Sequence, residues 1–470
     1  MTMSDIQTGI GNDGSNRAGT AAGTRRQFIK KTAAAAVAAA AVRLLPSPVR
    51  ADQTAPSVNV LGANEKIRLG FIGVGKQGFE AHLLNILKFA NENNVAAVAV
   101  CDVSKYRRTE AQKAVETAGG KADAYEDYRK LLERNDIDAI FCSTVDHWHA
   151  RITIDALEAG KHVYLEKPMT RYLDEAFAVY DAVKRTGKIL QLGSQGCSDL
   201  KWHKAAEWIR AGKIGQVVMT QGSFMRNKPA GEWNYPIQAW CTPEDVNWKL
   251  WHGDQIKTRL EFSVEDYFRW RKYYAYCAGL LGDLVPHKAH PYMLATGNPE
   301  FPVRVSAVGS KPVRTDKNTP DTPERDCPEI VQLIAEFPSG MVMHITTSSV
   351  SEQGTQEIIR GHKAYLLLGG NRVELKPEKP FADEIDPETS DPFEPETFTA
   401  HQKNFFDAIR GVAKPNADVE LAIRVQTIIS LAEMSERLNI MCRFDEKTRR
   451  ITDSTGREIK PITYGTLEQS

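Results

Sequence analysis

The residues Lys66-Ile-Arg-Leu-Gly-Phe-Ile-Gly73-Val-Gly75-Lys-Gln-Gly78 constrain this chain more than any other stretch. An apolar run ends in glycines spaced G-x-G-x-x-G, and a helical pattern follows. That order predicts a buried strand, a tight turn at Gly73, a backbone open to a pyrophosphate at Gly75, and close helix–strand packing at Gly78. The phosphates would lie on the positive end of the helix. A second apolar run, 95–101, ends at Asp102, where a carboxylate can accept hydrogen bonds from adenosine ribose hydroxyls. The two runs predict a dinucleotide site. Asp102 favours NAD over NADP, whose 2′-phosphate it would repel, while Lys105, Arg107 and Arg108 keep NADP open.

Beyond the turn, helices at 79–89, 106–118, 125–134, 151–159 and 173–186 interleave with strands at 139–143, 162–165 and 189–192. This alternation predicts an α/β fold over 61–192, a Rossmann doubly wound parallel sheet whose strand ends meet at one ligand-binding edge. From 193 to 470 the pattern changes to β-rich runs at 217–224, 304–309, 331–337, 341–349, 356–360 and 364–368, with late helices at 401–410 and 419–438. These runs predict a C-terminal α+β domain built on a largely antiparallel, open-faced sheet. Between 303 and 375 almost no helix is available to cover its second face, and 331–337 and 364–368 carry apolar residues on both sides. A homo-dimer or homo-tetramer through that sheet is therefore expected.

The chain has 60 basic and 60 acidic residues, so nothing in its charge points to nucleic acid. No apolar run of about 18 residues marks a membrane span in the mature protein, and the expected partner is a small molecule. Seven cysteines are scattered without a C-x-x-C pair, which argues against a zinc site or a disulfide framework. Residues 1–60 are set apart from the fold. Thr24-Arg-Arg-Gln-Phe-Ile-Lys30 and the alanine-rich run 33–42 resemble a twin-arginine export signal, with a cleavage site near 49–51. A periplasmic protein, exported folded with its nucleotide, is the expectation.

Several further stretches carry a family resemblance: Ser143-Thr-Val-Asp-His-Trp-His149-Ala, Leu165-Glu-Lys-Pro168, Asn247-Trp-Lys-Leu-Trp251 and His401-Gln-Lys-Asn-Phe-Phe-Asp-Ala-Ile-Arg410. With the glycine turn, and in this order over 66–444, they resemble the glucose–fructose oxidoreductase, inositol dehydrogenase and MocA family of nicotinamide-dependent enzymes. The resemblance implies an NAD(P)-dependent oxidoreductase acting on a hydroxyl or carbonyl of a sugar, sugar derivative or cyclitol. It implies that Lys167 binds the reacting hydroxyl and shares its proton with His287, and that Asp283 lies beside the substrate. His290 stands where many members of that family carry an acidic residue.

Local chemistry supports several of these assignments. Lys167 at the end of a parallel strand points into the ligand crevice, and Pro168 biases it toward extended backbone. Asp283 and His287, spaced i and i+4, share a helical face, so the carboxylate can orient the imidazole. Pro286 belongs in a first helical turn, so the pair can instead meet across a helix N-terminus. The expected cofactor contacts are Gly73, Gly75, Lys76, Gln77 and Gly78 in the turn, Asp102, and Thr144, His149, Glu166, Lys167 and Gln195 near later strand ends. Arg271, in Trp270-Arg-Lys-Tyr-Tyr274, joins Lys167, Asp283, His287 and His290 as a substrate contact. No metal is expected, because the lysine suffices for the proton. Two other readings stand. One is a redox-neutral glycosidase or epimerase of the same fold, in which transient oxidation by a retained NAD acidifies the neighbouring C–H. The other is a non-catalytic nucleotide- or sugar-binding protein, against which the presence of both Lys167 and His287 argues.

Overall fold

The computed structural model describes residues 65–467, all within one compact unit. The paired arginines of the export motif, Arg25 and Arg26, lie outside the described residues. Six strands form a wholly parallel sheet: β1 (Ile67–Ile72), β2 (Val95–Cys101), β3 (Asp123–Tyr125), β4 (Ala139–Cys142), β5 (His162–Glu166) and β6 (Leu190–Gly193), in the order β3-β2-β1-β4-β5-β6. Chain direction reverses between β1 and β4, the place where such sheets open a crevice at their carboxyl ends. Helices cover both faces, so β1 and β4 are apolar almost throughout and nearly every residue in them is buried.

The second sheet begins with the strand Val217–Asn227 and runs through Arg304–Ser310, Ile330–Glu336, Val342–Ser348, Ile358–Gly361 and Ala364–Leu367. Its pairings are antiparallel except that Val342–Ser348 runs parallel to Val217–Asn227. The strands Glu374–Pro377 and Cys442–Asp445 extend it; each is only four residues long, too short a run to stand out in the sequence. In Ile330–Glu336 burial alternates, with Val331, Leu333 and Ala335 inward and Gln332 and Ile334 exposed. The open face is thus less apolar than the sequence suggested, because Gln332 and Glu336 occupy outward positions.

The helix Val419–Leu438 lies under this sheet, capped by Asp418 at one end and by left-handed Asn439 at the other. Most of its residues are buried, including Glu433, whose carboxylate holds the Arg171 guanidinium through two bonds of 2.7 and 2.8 Å. Arg171 follows the Glu166-Lys167-Pro168 stretch, so this pair joins the end of β5 to the core of the second sheet. The helix Phe398–Ile409 instead returns to the first sheet, where Phe405, Phe406 and Ile409 pack with Phe71, Phe141 and Tyr164.

All seven cysteines are buried free thiols, and no helix among the described residues is long and apolar enough to cross a membrane. Burial lowers His147 to about 3 and His162, His290 and His401 to about 4. It raises Asp146 to about 7 and Glu175 to about 8. The histidines contribute stability that is present above their unfolded value, about 6.5, and lost as the pH falls below it. The two carboxyls act in the opposite sense, contributing stability at low pH that is lost as the pH rises toward 8. The melting temperature should therefore peak near pH 6.5 and fall more steeply on the acid side. A melting temperature that instead rises steadily from pH 6.5 down to pH 4, as the carboxyls alone would produce, would show that these histidines are solvated.

Candidate active site

The glycine turn has the shape the spacing predicts. Gly73 sits at φ 81, and a Cβ there would meet the Ser143 backbone at 2.8 Å. A Cβ on Gly78 would strike the Gly73 carbonyl at 2.0 Å, so only glycine lets the helix approach the strand this closely. At Gly75 nothing lies within 4 Å of an added Cβ, which leaves the space a pyrophosphate needs. The first turns of the following helix, Gln77–Leu84, are π-wound. Asp102 braces the turn by accepting from the backbone N–H of Val74 and of Ser104, each at 2.9 Å. A cavity of about 680 Å3 runs along this edge, lined by Gly73, Gly75, Lys76, Gln77, Asp102 and Thr144 on one side and by Trp240, Trp270 and Arg271 on another. Its size and open backbone fit a dinucleotide.

Lys167, half-buried after β5, donates from Nζ to the Asp283 carboxylate at 2.7 Å and to the Asp283 carbonyl at 3.0 Å. Arg271 reaches the same carboxylate oxygen at 3.4 Å, and the Trp233 indole N–H donates to the other at 3.1 Å. Burial alone would raise the Asp283 carboxyl, but Lys167 and Arg271 outweigh it and hold it well below the usual carboxylate range. An ammonium thus stands at the carboxyl edge of the parallel sheet, clamped by one carboxylate. Arg271, stacked on Trp270 at 4.1 Å, links that carboxylate to the cavity.

The expected bond between Asp283 and His287 does not form. The helix breaks after Leu280–Asp283 and restarts at Pro286, and the carboxylate is taken by Lys167, Arg271 and Trp233. His287 stacks on Phe224 at 4.9 Å and makes no side-chain hydrogen bond among the described residues. Burial, with the Lys167 charge nearby, lowers it to about 3, so at neutral pH it is an uncharged imidazole with a free lone pair.

Four further residues are placed differently from the expectation. Glu166 turns inward and accepts from His82 at 2.7 Å and from Gln77 at 3.0 Å. Burial opposes its charge, yet His82 and Lys167 hold it at about 2. It therefore acts on the cavity through Gln77. His149 is buried in the helix Asp146–Glu158, donating from Nδ1 to the Pro168 carbonyl at 2.7 Å, and ties that helix to the segment after β5 instead of facing the nicotinamide. His290 is also buried, its Nδ1 bonded one turn back to the Pro286 carbonyl, which removes it from the substrate set. Gln195 is half-buried and does not line the cavity.

Two residues of the site escaped the sequence. Trp233 lies in an irregular stretch at φ 67, a left-handed backbone that nothing in its neighbours announces. Asp146, within the Ser143–His149 motif, faces the helix Leu280–Asp283, where a Cβ on Gly282 would sit 3.8 Å from its Oδ2. A buried carboxyl on that loop was the available signal.

A parallel sheet with this strand order, a glycine turn open at Gly75 and a carboxylate at Asp102 beside it are the features of a dinucleotide-binding domain. Residues 67–194 match the Gfo/Idh/MocA oxidoreductase family in its NAD-binding Rossmann fold. Its cofactor is NAD. The chain is 29% identical over 255 residues to the alpha-N-acetylgalactosaminidase of Shewanella oneidensis, covering 49% of this chain and 53% of the relative. It is 30% identical over 260 residues to glycosyl hydrolase family 109 protein 1 of Shewanella sp. strain ANA-3, with the same coverage of 49% and 53%. The chain thus spans about half the length of the curated relatives it matches. A levoglucosan dehydrogenase solved with NADH and levoglucosan shares the fold at TM-score 0.62 and 19% identity, covering 80% of this chain and 99% of that one. An oxidoreductase domain protein from Kribbella flavida does so at TM-score 0.63 and 19% identity, covering 81% of this chain and 100% of that one.

Around Asp102, the basic residues that kept NADP open have other partners. Arg108 donates to the Asp102 carbonyl at 3.2 Å, and Arg107 pairs with Glu110 at 3.4 Å and lies over Trp240. Asp102→Ala is expected to weaken NAD more than NADP in calorimetric titrations, because it removes a ribose acceptor and relieves repulsion of a 2′-phosphate. Equal losses would mean that the carboxylate only braces the glycine turn.

Proposed function

We propose that this chain is an NAD-dependent carbohydrate-active enzyme that oxidises a sugar hydroxyl transiently and cleaves a glycosidic bond with no net redox change. The observation that carries the oxidation step is the Lys167 ammonium, fixed by Asp283 at the crevice edge with uncharged His287 on the following helix. The redox-neutral outcome is supported by the likeness to proteins named alpha-N-acetylgalactosaminidase and glycosyl hydrolase family 109. Gly73, Gly75 and Asp102 would hold the NAD, which when bound would supply the hydride acceptor for the first step and the hydride donor for the last.

The chain's own residues handle oxygen and proton. His287 takes the hydroxyl proton, and Lys167 donates a hydrogen bond to the oxygen left behind. Asp283, gripped by Trp233 and Arg271, keeps the ammonium in place. With that carbon a carbonyl, the neighbouring C–H becomes acidic; its proton passes to solvent water, and Lys167 stabilises the enolate left behind. The enolate electron pair expels the glycosidic oxygen from the next carbon, and that oxygen takes a proton from water. A second water adds across the new double bond, with OH on the former glycosidic carbon and H on its neighbour, and the carbonyl is reduced again.

An aryl α-N-acetylgalactosaminide tests this reading. The expected result is free phenol and free sugar without accumulating reduced nucleotide, with solvent deuterium on the carbon beside the oxidised one. Reduced nucleotide formed in proportion to sugar, with the glycosidic bond intact, would make the chain a net sugar dehydrogenase.

Assembly and location belong to the same proposal. The open face of the second sheet exposes Val308 (75%) and Ile334 (52%), a surface suited to a two-fold partner. A monomer in sedimentation at micromolar concentration would remove that dimer. Export to the periplasm rests on Arg25 and Arg26, and replacing both with lysine should leave the protein in the cytoplasmic fraction.

A further inference from the structure

After the strand Val217–Asn227 the chain leaves its own sheet, and the stretch 235–251 packs against the nucleotide edge of the other. Asp245 is the anchor. Its Oδ2 accepts from the Ser104 hydroxyl at 2.5 Å, its Oδ1 from the Tyr106 N–H at 2.8 Å, and its carbonyl from the Lys105 N–H at 2.9 Å. Beside it, Asn247 N–H donates to the Val103 carbonyl at 3.0 Å, and Val246 forms a single antiparallel bridge with Ser104. A second anchor is aromatic: Trp240 stacks on Tyr106 at 4.7 Å and 9°, with the Arg107 guanidinium 5.0 Å from its ring. A third joins Trp251 to the helix Asp146–Glu158 after β4, its carbonyl accepting from the Trp148 indole at 2.7 Å.

The residues held this way, 103–107, immediately follow Asp102 at the adenosine end of the crevice. The cavity lies between the two walls, with Gly75 and Asp102 on one and Tyr235, Gln238 and Trp240 on the other. Tyr235, Pro236 and Gln238 are exposed and also line the cavity, so this wall stands between the cavity and solvent.

We propose that 235–251 is the second half of the nucleotide site, a clasp that closes over the adenosine half of NAD and keeps the nucleotide resident between turnovers. The inference rests on the NAD assignment and is independent of the reaction catalysed. Release then requires the Asp245 and Trp240 contacts to open together.

The test measures exchange of bound NADH, followed by its fluorescence after excess NAD is added to the loaded, gel-filtered protein. The natural chain should keep its nucleotide through gel filtration. Asp245→Ala should speed both release and rebinding by at least about tenfold, as expected when charge-assisted hydrogen bonds closing a gate are lost. Trp240→Ala, which leaves the Asp245 bonds in place, should do the same to a smaller degree, and it decides alone if the Asp245 variant does not fold. Release at the natural rate in the deciding variant overturns the clasp. So does faster release with slower rebinding, which marks a damaged pocket, or a natural chain that loses its nucleotide on the column.

Discussion

Replacing Lys167 with alanine should lower turnover by about two to four powers of ten, the range for losing a positioned proton-handling group, while NAD binding and folding remain nearly intact. The fold should tolerate the loss because Asp283 keeps Arg271 at 3.4 Å and Trp233 at 3.1 Å, so the buried carboxylate retains a cation and a donor. Nucleotide binding should tolerate it because Gly73, Gly75 and Asp102 line the cavity and Lys167 does not. His287→Ala should act similarly. The double variant should be little worse than either single one, since both residues serve one oxygen and one proton. A Lys167→Ala enzyme that keeps most of its activity would reduce the lysine to a structural partner of Asp283, and effects that multiply would show two independent roles.

Glu433→Ala carries the largest expected loss of stability, about 3–5 kcal/mol, the usual result of stranding a buried charge. Both side chains of the pair are almost fully enclosed, Arg171 at 0% and Glu433 at 3% exposure. Arg437 leans on the same carboxylate at 3.0 Å and would lose its partner as well. Arg171 would keep its two bonds to the neutral Tyr274 carbonyl, at 2.8 and 3.3 Å, but no carboxylate. Urea unfolding monitored without nucleotide reads the effect. Exchanging both members together, Arg171→Met with Glu433→Leu, should cost less than the single change, because no uncompensated carboxylate or guanidinium then remains at that pair. A single variant within about 1 kcal/mol of the natural chain would mean that water reaches the site.

The parallel sheet was legible because period and punctuation agree there. The helix expected over 173–186 lies at Leu173–Thr186, between a reciprocal cap involving Tyr172 and Glu175 and a left-handed Gly187. The glycine turn was legible because each glycine answers a steric demand of its own. Side-chain direction at the strand ends was harder to read. Glu166 and Lys167 are neighbours on an extended backbone and so point oppositely, one toward His82 and one toward Asp283, and no spacing rule says which faces the crevice. The i, i+4 reading of Asp283 and His287 failed because it assumed one continuous helix, whereas Pro286 starts a new one. Trp233 and the stretch around Asp245 lie in irregular backbone, where the partners that give a residue its role are distant in sequence and leave no periodic trace.

The helix Phe398–Ile409 carries a consequence for the timing of synthesis. Phe405 and Phe406 pack edge-on or tilted against Phe141 of β4, and Gln402 Nε2 donates to His82 at 3.0 Å, which directs the other ring nitrogen toward Glu166. All six parallel strands precede this helix in the chain, and although earlier helices pack Leu83, Ile86, Ala111 and Val115 on the same face, the part of it that Phe405 and Phe406 cover stays open until the helix arrives. At ribosomal speeds of about 5–20 residues per second that wait is roughly 10–40 s. During it, Phe71, Phe141 and Tyr164 present an apolar surface to whatever is nearby, and Glu166 lacks a fixed His82. A ribosome stalled between 200 and 400 should therefore display a nascent chain that is protease-sensitive and chaperone-bound, and protection of β1 and β4 should appear abruptly once residue 409 has cleared the exit tunnel.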